Sequence, residues 1–218
     1  MVSDSRDDLL AKVAAVRRDQ PDHPALADDR GVLSYGDLVA RAEATAALLA
    51  ERGVGRGERV ASLGTTRSDV FVTLLACARL GAMLVPLNLR LANAELDWIL
   101  DDCAVQLIVG DEELVERLSH RPEARTGFAT LAEQAAAGGG SAVEIGGGTV
   151  TDELLVVYTS GTTGRPKGAV LTQAAIVAHA ENAVDAFGIT VEDRTLVVLP
   201  LFHVGGLNIT ATPTLLHG

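Results

Sequence analysis

The chain has 218 residues, 48% apolar and 22% charged, a composition that excludes a disordered chain or a fibrous repeat. A chain this long buries roughly 70% of its unfolded surface, so it supports a sizeable core. Its formal charge of −11, from 29 acidic and 18 basic residues, argues against a nucleic-acid phosphate backbone as main partner.

From the N-terminus, the pattern of Leu9, Leu10, Val13, Ala14 and Val16 predicts an amphipathic helix over 4–18, ended by Pro21 and Pro24. Residues 25–27 and 32–33 flank Asp28-Asp29-Arg30-Gly31 and predict a small hairpin. A clear helix follows over 34–52. Ser34 and Asp37 have capping-box spacing, Asp37 and Arg41 can pair, and Gly53 suits the position just past the end.

An alternation then sets in. Strands are expected at 59–63, 82–87 and 105–109, and helices at 68–80 (closed by Gly81) and 93–103. This rhythm predicts an α/β fold, a parallel or mixed sheet flanked by helices on both faces. Residues 111–137 read as weakly helical, with Asp111-Glu112-Glu113 as a solvated helix start. Glycines at 138–140 and 146–148 mark a connection that joins two subdomains or forms a long surface loop. The expected division is an N-terminal α/β subdomain at 1–137, a Gly-rich connection at 138–150, and the start of a second α/β subdomain at 151–218. In the last part, 153–158 reads as a strand, 159–168 as a loop and 172–187 as a helix. A buried strand at 195–199, a loop at 201–206 and a helical or buried stretch from Leu207 complete the order. Residues 207–218 carry no charge, which is unusual for a natural terminus and suggests a cut through a larger core.

The two cysteines, Cys77 and Cys103, both sit among apolar neighbours and read as buried thiols rather than a disulfide or metal site. No apolar run reaches the ~20 residues needed to span a bilayer, and the acidic start lacks the features of a signal peptide. A reduced, cytoplasmic setting is the expectation.

The densest chemistry lies at 158–168, Tyr-Thr-Ser-Gly-Thr-Thr-Gly-Arg-Pro-Lys-Gly. Hydroxyls cluster at Thr159, Ser160, Thr162 and Thr163, and Gly161, Gly164 and Gly168 permit close backbone approach. Exposed N–H groups in such a loop make an anion nest, and Lys167 adds a full charge. The competing reading is a solvent-exposed Ser/Thr/Gly loop. Two features weigh against it. The loop follows an apolar strand, where open α/β sheets bind ligands. Lys167 is one of two lysines beside 16 arginines, so a compact ammonium is kept where Arg serves elsewhere. The spacing is not that of a Walker A loop.

Residues 158–172 resemble the phosphate-binding signature of the adenylate-forming superfamily of acyl-CoA synthetases, adenylation domains and luciferases. Residues 200–207, Pro-Leu-Phe-His-Val-Gly-Gly-Leu, resemble its acyl-pocket motif in the form typical of acyl-CoA synthetases. Residues 34–38 and 81–88 resemble further landmarks, so the likeness covers nearly the whole chain. It implies a two-step reaction. A carboxylate attacks the α-phosphate of ATP, giving an acyl-adenylate and pyrophosphate, and a thiol, commonly that of coenzyme A, then takes the acyl group. It implies that Thr159, Ser160, Gly161, Thr162, Thr163, Gly164 and Lys167 hold the ATP phosphates, with Mg²⁺ sharing the charge. It implies that Phe202, His203, Gly205 and Gly206 line the acyl pocket, His203 by gating or orienting the acid rather than as a general base. His23, His120, His179 and His217 lack such context, and Trp98 reads as core.

The family's adenine motif, Mg²⁺-binding glutamate, ribose-binding aspartate and catalytic C-terminal lysine have no counterpart here. The resemblance therefore implies the first part of an enzyme, with no catalytic residue and no metal ligand assigned in this chain. The missing C-terminal portion, the acid and coenzyme A are its implied partners, and a homodimer stays open. Two alternatives also stay open: an amino-acid or aryl-acid adenylation domain fragment, or a non-catalytic remnant acting as a binding module.

Overall fold

A computed structural model describes residues 8–139, 147–159 and 165–218. Helix α1 (Leu9–Val16) precedes the antiparallel hairpin of β1 (Pro24–Asp28) and β2 (Gly31–Ser34). The α1 helix starts at Leu9 because Asp8 caps it, its Oδ1 accepting the Ala11 N–H at 2.8 Å. Helix α2 (Tyr35–Glu51) opens on the expected capping box. The Asp37 N–H donates to Ser34 Oγ at 3.0 Å and the Ser34 N–H to Asp37 Oδ2 at 3.3 Å. The Ser34 hydroxyl, donating to Asp37 Oδ2 at 2.8 Å, and then the Ser34 N–H hold the Asp37 carboxyl below its ordinary range.

The alternation also forms as expected: β3 (Arg59–Leu63), α3 (Ser68–Leu80), β4 (Met83–Pro86), α4 (Asn93–Cys103) and β5 (Leu107–Gly110). Gly81 closes α3 at φ 68°, where a side chain would be strained and its Cβ would meet Asp152 Oδ2 at 2.9 Å. Residues 111–137 correct the weakly helical reading. They hold α5 (Glu112–Glu116), a short strand β6 (Ala124–Gly127) and α6 (Phe128–Ala136). β6 is polar and four residues long, so pairing with β5 defines it and periodicity does not.

Beyond the glycine-rich stretch come β7 (Glu153–Thr159), β8 (Lys167–Thr172), α7 (Gln173–Phe187), α8 (Val204–Asn208) and α9 (Ala211–His217). The main sheet has the order β6-β5-β3-β4-β7-β8. Every pair is parallel except β7–β8, so the sheet is mixed. β4 pairs with β7, so one sheet carries strands from both sides of that stretch. Gly148 docks there on the end of α3, its N–H donating to Arg79 O at 2.8 Å.

Period-two alternation splits the core into two layers. Val60, Leu84, Leu107, Val109, Leu155 and Val157 face one layer, with α2 and α3. Ala61, Leu63, Val85, Ile108 and Val156 face the other, with α4. Two expectations near the C-terminus need correction. Residues 195–199 are neither a strand nor buried, because no strand lies beside them among the described residues. The expected loop at 201–206 gives way to α8 at Val204.

Gln173, the first residue of α7, is fully buried. Its Oε1 accepts the Leu9 N–H at 2.7 Å and its Nε2 donates to Ala78 O at 3.0 Å. Its own N–H donates to Asp152 O at 2.9 Å. One residue thus ties the start of α1 and the end of α3 through its side-chain amide, and the approach to β7 through its backbone. Ala78 O keeps a second donor, the Gly81 N–H, but among the described residues the Leu9 N–H has no partner besides Gln173 Oε1. Gln173→Leu should therefore lower unfolding stability by about 1–3 kcal/mol, the cost of one orphaned buried donor. Urea denaturation of the two proteins checks this, and an unchanged midpoint would show that the tie is dispensable.

Candidate functional site

The likeness to a phosphate loop falls on the turn between β7 and β8. The sequence predicts this loop between a strand and a helix. Instead, the chain turns back as a strand antiparallel to β7 before α7 begins. Residues 169–171, Ala-Val-Leu, pair with Val157, Val156 and Leu155, so the apolar run after Lys167 is sheet. Of the expected phosphate residues, Ser160, Gly161, Thr162, Thr163 and Gly164 lie outside the described residues. Thr159 and Lys167 lie directly opposite each other at the mouth of the turn, with Thr159 Oγ1 donating to Lys167 O at 3.4 Å. Both side chains are exposed, and no ion pair among the described residues holds the Lys167 ammonium.

The base of the hairpin is anchored from both strands. The Tyr158 hydroxyl donates to Asp102 Oδ2 at 2.6 Å, and its ring meets Trp98 edge-on at 6.1 Å. Burial, then the Asp102 carboxylate, hold the phenol proton well above its ordinary range, so Tyr158 stays neutral. Opposite it, a Cβ on Gly168 would come within 3.2 Å of the Tyr158 ring. Thr172 caps α7 by accepting the Ala175 N–H at 3.2 Å. Burial pushes the Cys103 thiol up to about 11, and burial raises Cys77 further, so neither is a thiolate near neutral pH.

The acyl-pocket motif forms a tight turn into α8. The His203 N–H donates to Pro200 O at 3.2 Å, and His203 O accepts from Gly206 and Leu207 at 3.0 and 3.1 Å. Gly206 is required there, since a Cβ would meet Pro200 O at 2.3 Å and Leu199 O at 2.6 Å. Gly205 has ordinary room, 3.5 Å from Leu199 Cδ1. Phe202 is buried and His203 exposed, their rings 4.7 Å apart. No hydrogen bond or ion pair among the described residues joins this turn to Thr159 or Lys167. The remaining histidines play packing or surface parts: His120 meets Asp97 and His179 meets Asn208 O.

A cleft of about 960 Å³ opens at the carboxyl ends of β3 and β5. Thr65, Arg67, Ser68, Asp111 and Asp28 line it, with Leu196 on the far wall. Here the solvated reading of the acidic start is incomplete. Asp111 accepts from the Thr65 N–H at 2.8 Å and Oγ1 at 2.9 Å, and pairs with buried Arg67. Glu112 Oε1 accepts from the Ala129 N–H at 2.8 Å and so caps α6. The sequence signal for this cleft was available. Polar residues directly follow β3 and β5, where the strand order reverses. Among the described residues, no cluster of three or more His, Cys, Asp or Glu could hold a metal ion, and no helix is long and apolar enough to cross a membrane.

The AMP-binding enzyme family model matches residues 13–218. The indoleacetate–CoA ligase of Aromatoleum aromaticum is 38% identical over 198 residues, covering 85% of this chain and 39% of that enzyme. A feruloyl-CoA synthase from an Amycolatopsis species is 36% identical over 187 residues, covering 85% of this chain and 38% of that enzyme. The ATP-bound crystal structure of MatB from Rhodopseudomonas palustris superposes with a TM-score of 0.83 at 29% identity, covering 97% of this chain and 44% of MatB. The chain thus spans well under half the length of these relatives. With its mixed sheet, its strand–turn–strand signature and a match across nearly all its residues, the chain belongs to the AMP-binding enzyme family.

Proposed function

We propose that the chain supplies the ATP-phosphate grip and one wall of the acyl pocket of an AMP-forming carboxylate–CoA ligase. The observation that carries this reading is the hairpin register. It sets Thr159 and Lys167 across one turn, in a chain whose relatives include acid–CoA ligases. The division at 1–137, 138–150 and 151–218 is part of the same proposal, as is a cytoplasmic setting.

The chemistry follows from the residues. When a carboxylate oxygen attacks the α-phosphorus, the bond to the bridging oxygen breaks and charge builds on the departing pyrophosphate. Donors fixed before the reaction stabilise that charge without reorganising. Lys167 supplies a compact ammonium from the start of β8, and Thr159 a hydroxyl from the end of β7. Ser160, Gly161, Thr162, Thr163 and Gly164 complete the grip in this proposal. Mg²⁺ supplies further charge neutralisation in such reactions, but no described side-chain cluster fits it, so no residue of this chain is assigned to it. Phe202, Gly205 and Gly206 shape the acyl wall, and exposed His203 orients the acid. The acyl-adenylate then passes its acyl group to the thiol of coenzyme A. The relatives' names include an indole-bearing and a phenolic acid, so aromatic acids belong beside fatty acids as candidates. In this reading the chain alone is inactive, because the remaining groups of the reaction lie in a further portion.

Carboxylate-dependent ATP–pyrophosphate exchange tests the proposal. It is run on the 218-residue chain and on its longest natural continuation, with fatty and aromatic acids. Exchange in the longer protein alone is the expected result; exchange in neither, from folded protein, would favour a binding module. In the active form, Lys167→Ala should slow exchange on the order of 10–100-fold, the loss of one charge-assisted contact. Unchanged exchange would remove Lys167 from the mechanism. His203→Ala should raise KM for the acid or shift selectivity among acids while leaving KM for ATP unchanged. Kinetics identical to wild type on every acid would leave His203 a surface residue of the turn.

A further inference from the structure

β7 pairs with β4 at the single position Leu84–Leu155, whereas its pairing with β8 runs on to Thr159–Lys167. Val157, Tyr158 and Thr159 thus project beyond the stretch shared with β4, and the mouth of the turn stands on a two-stranded ribbon. Such a ribbon twists more than the middle of a sheet and is marginal on its own, so the place of its mouth depends on lateral contacts. Among the described residues, Val157 packs in the core and Thr159 bonds within the hairpin. Tyr158 is the one of the three whose side chain hydrogen-bonds to another element, its hydroxyl donating to Asp102 Oδ2 of α4 at 2.6 Å.

The end of α4 that offers this acceptor is itself held in place. Arg59, the first residue of β3, donates from Nε to Cys103 O at 2.6 Å and from Nη2 to Ala104 O at 2.5 Å. Ala104 sits at φ 45°, the only non-glycine residue with positive φ among the described residues, a left-handed conformation that alanine adopts at a cost. The last turn of α4 also carries Asp101 and Asp102 and no base. Carboxylates are unfavourable there, at the negative end of the helix dipole. Arg121 offsets Asp101 at 2.7 Å, but among the described residues Asp102 has no ion pair. The Asp102 charge therefore gains α4 nothing, and the side chain it meets is Tyr158. Local rules are broken in this way mainly where function asks for it.

We infer that Asp102 is a positioning residue for acid activation. Through the Tyr158 hydroxyl, its carboxylate fixes where the end of β7 stands against α4, and so where Thr159 and Lys167 present their donors. Asp102 itself touches no substrate. The inference rests on the reading of the turn as a phosphate grip.

Pyrophosphate exchange by the longest natural continuation of the chain tests it. Asp102→Ala should raise KM for ATP on the order of 10-fold and leave KM for the acid unchanged. Asp102→Asn, whose amide oxygen still accepts from the phenol, should restore the wild-type value. Tyr158→Phe keeps the ring on Trp98 and should match Asp102→Ala, and the double variant should be no worse than either single one. Asp101→Ala, one residue away on the same turn, should behave as wild type. Thermal denaturation of each variant separates positioning from mere bracing: a lowered Tm with unchanged kinetic constants would overturn the inference. So would additive effects in the double variant, or an Asp102→Ala enzyme with wild-type KM for ATP, and either result would leave the phosphate-grip reading standing. Wild-type protein that exchanges with no acid would sink the ligase reading instead. Calorimetric titration with Mg²⁺–ATP then decides: affinity about 10-fold weaker in Asp102→Ala supports the inference, and equal affinity or no binding overturns it.

Discussion

Strand β7 has neighbours of opposite sense: it runs parallel to β4 and antiparallel to β8. Much else depends on that arrangement. The parallel pairing brings the carboxyl end of β7 to the end of the sheet where β3, β4 and β5 also finish, the end at which open α/β sheets leave room for ligands. The antiparallel pairing then returns the chain at once, so the segment from Thr159 to Lys167 is held at both feet by the same sheet. A loop tethered to a strand at one end and a distant helix at the other would lack this closure. Here register alone sets the separation of the two feet.

The feet are in turn braced by groups that are not themselves exposed at the turn. Tyr158 is pinned to α4 through Asp102 and Trp98, and Gly168 leaves room for its ring. At the far end of β8, the buried Gln173 amide fixes the entry to α7 against α1 and α3. Hydrogen bonds inside a dry environment are costly to leave unmade, so the buried Gln173 bonds resist displacement more than surface contacts would. The carboxylates after β5 do similar work on the neighbouring loops. Asp111 organises the loop that follows β3, and Glu112 caps α6. Side chains that read in sequence as a solvated acidic start thus organise the cleft beside them.

What the sequence could disclose divides along the range of the interaction that fixes each element. The Ser34–Asp37 capping box and Gly81 were legible because both ends of each device lie within a few residues. The period-two strands β3, β4, β5 and β7 were legible because burial on two faces leaves a continuous apolar run. β6 was not, because a four-residue polar edge strand exists only through its pairing with β5. β8 was missed for a related reason. The Gly, Lys and Pro around its start read as loop, and only the return alongside β7 makes it sheet. In the candidate site, the residue types and their spacing were legible. That Thr159 and Lys167 face each other was not, since register is a tertiary property.

Residues 195–199 show the same limit from the other side. Their apolarity is as strong as that of β7, and the strand expectation followed from it, yet β7 is a buried strand and this segment is bare. Hydrophobic pattern specifies what a segment needs, namely an edge partner and two covered faces, and it does not specify who provides them. That distinction separates the two halves of the candidate site. The two feet of the turn, Thr159 and Lys167, are fixed opposite each other by the β7–β8 pairing within this chain. The end that would meet the acid, Phe202 to Gly206, hangs between this unpaired segment and the short helix α8. In the proposed reading the pairing across the hairpin turn is legible in the structure of these residues, and the choice of acid is not.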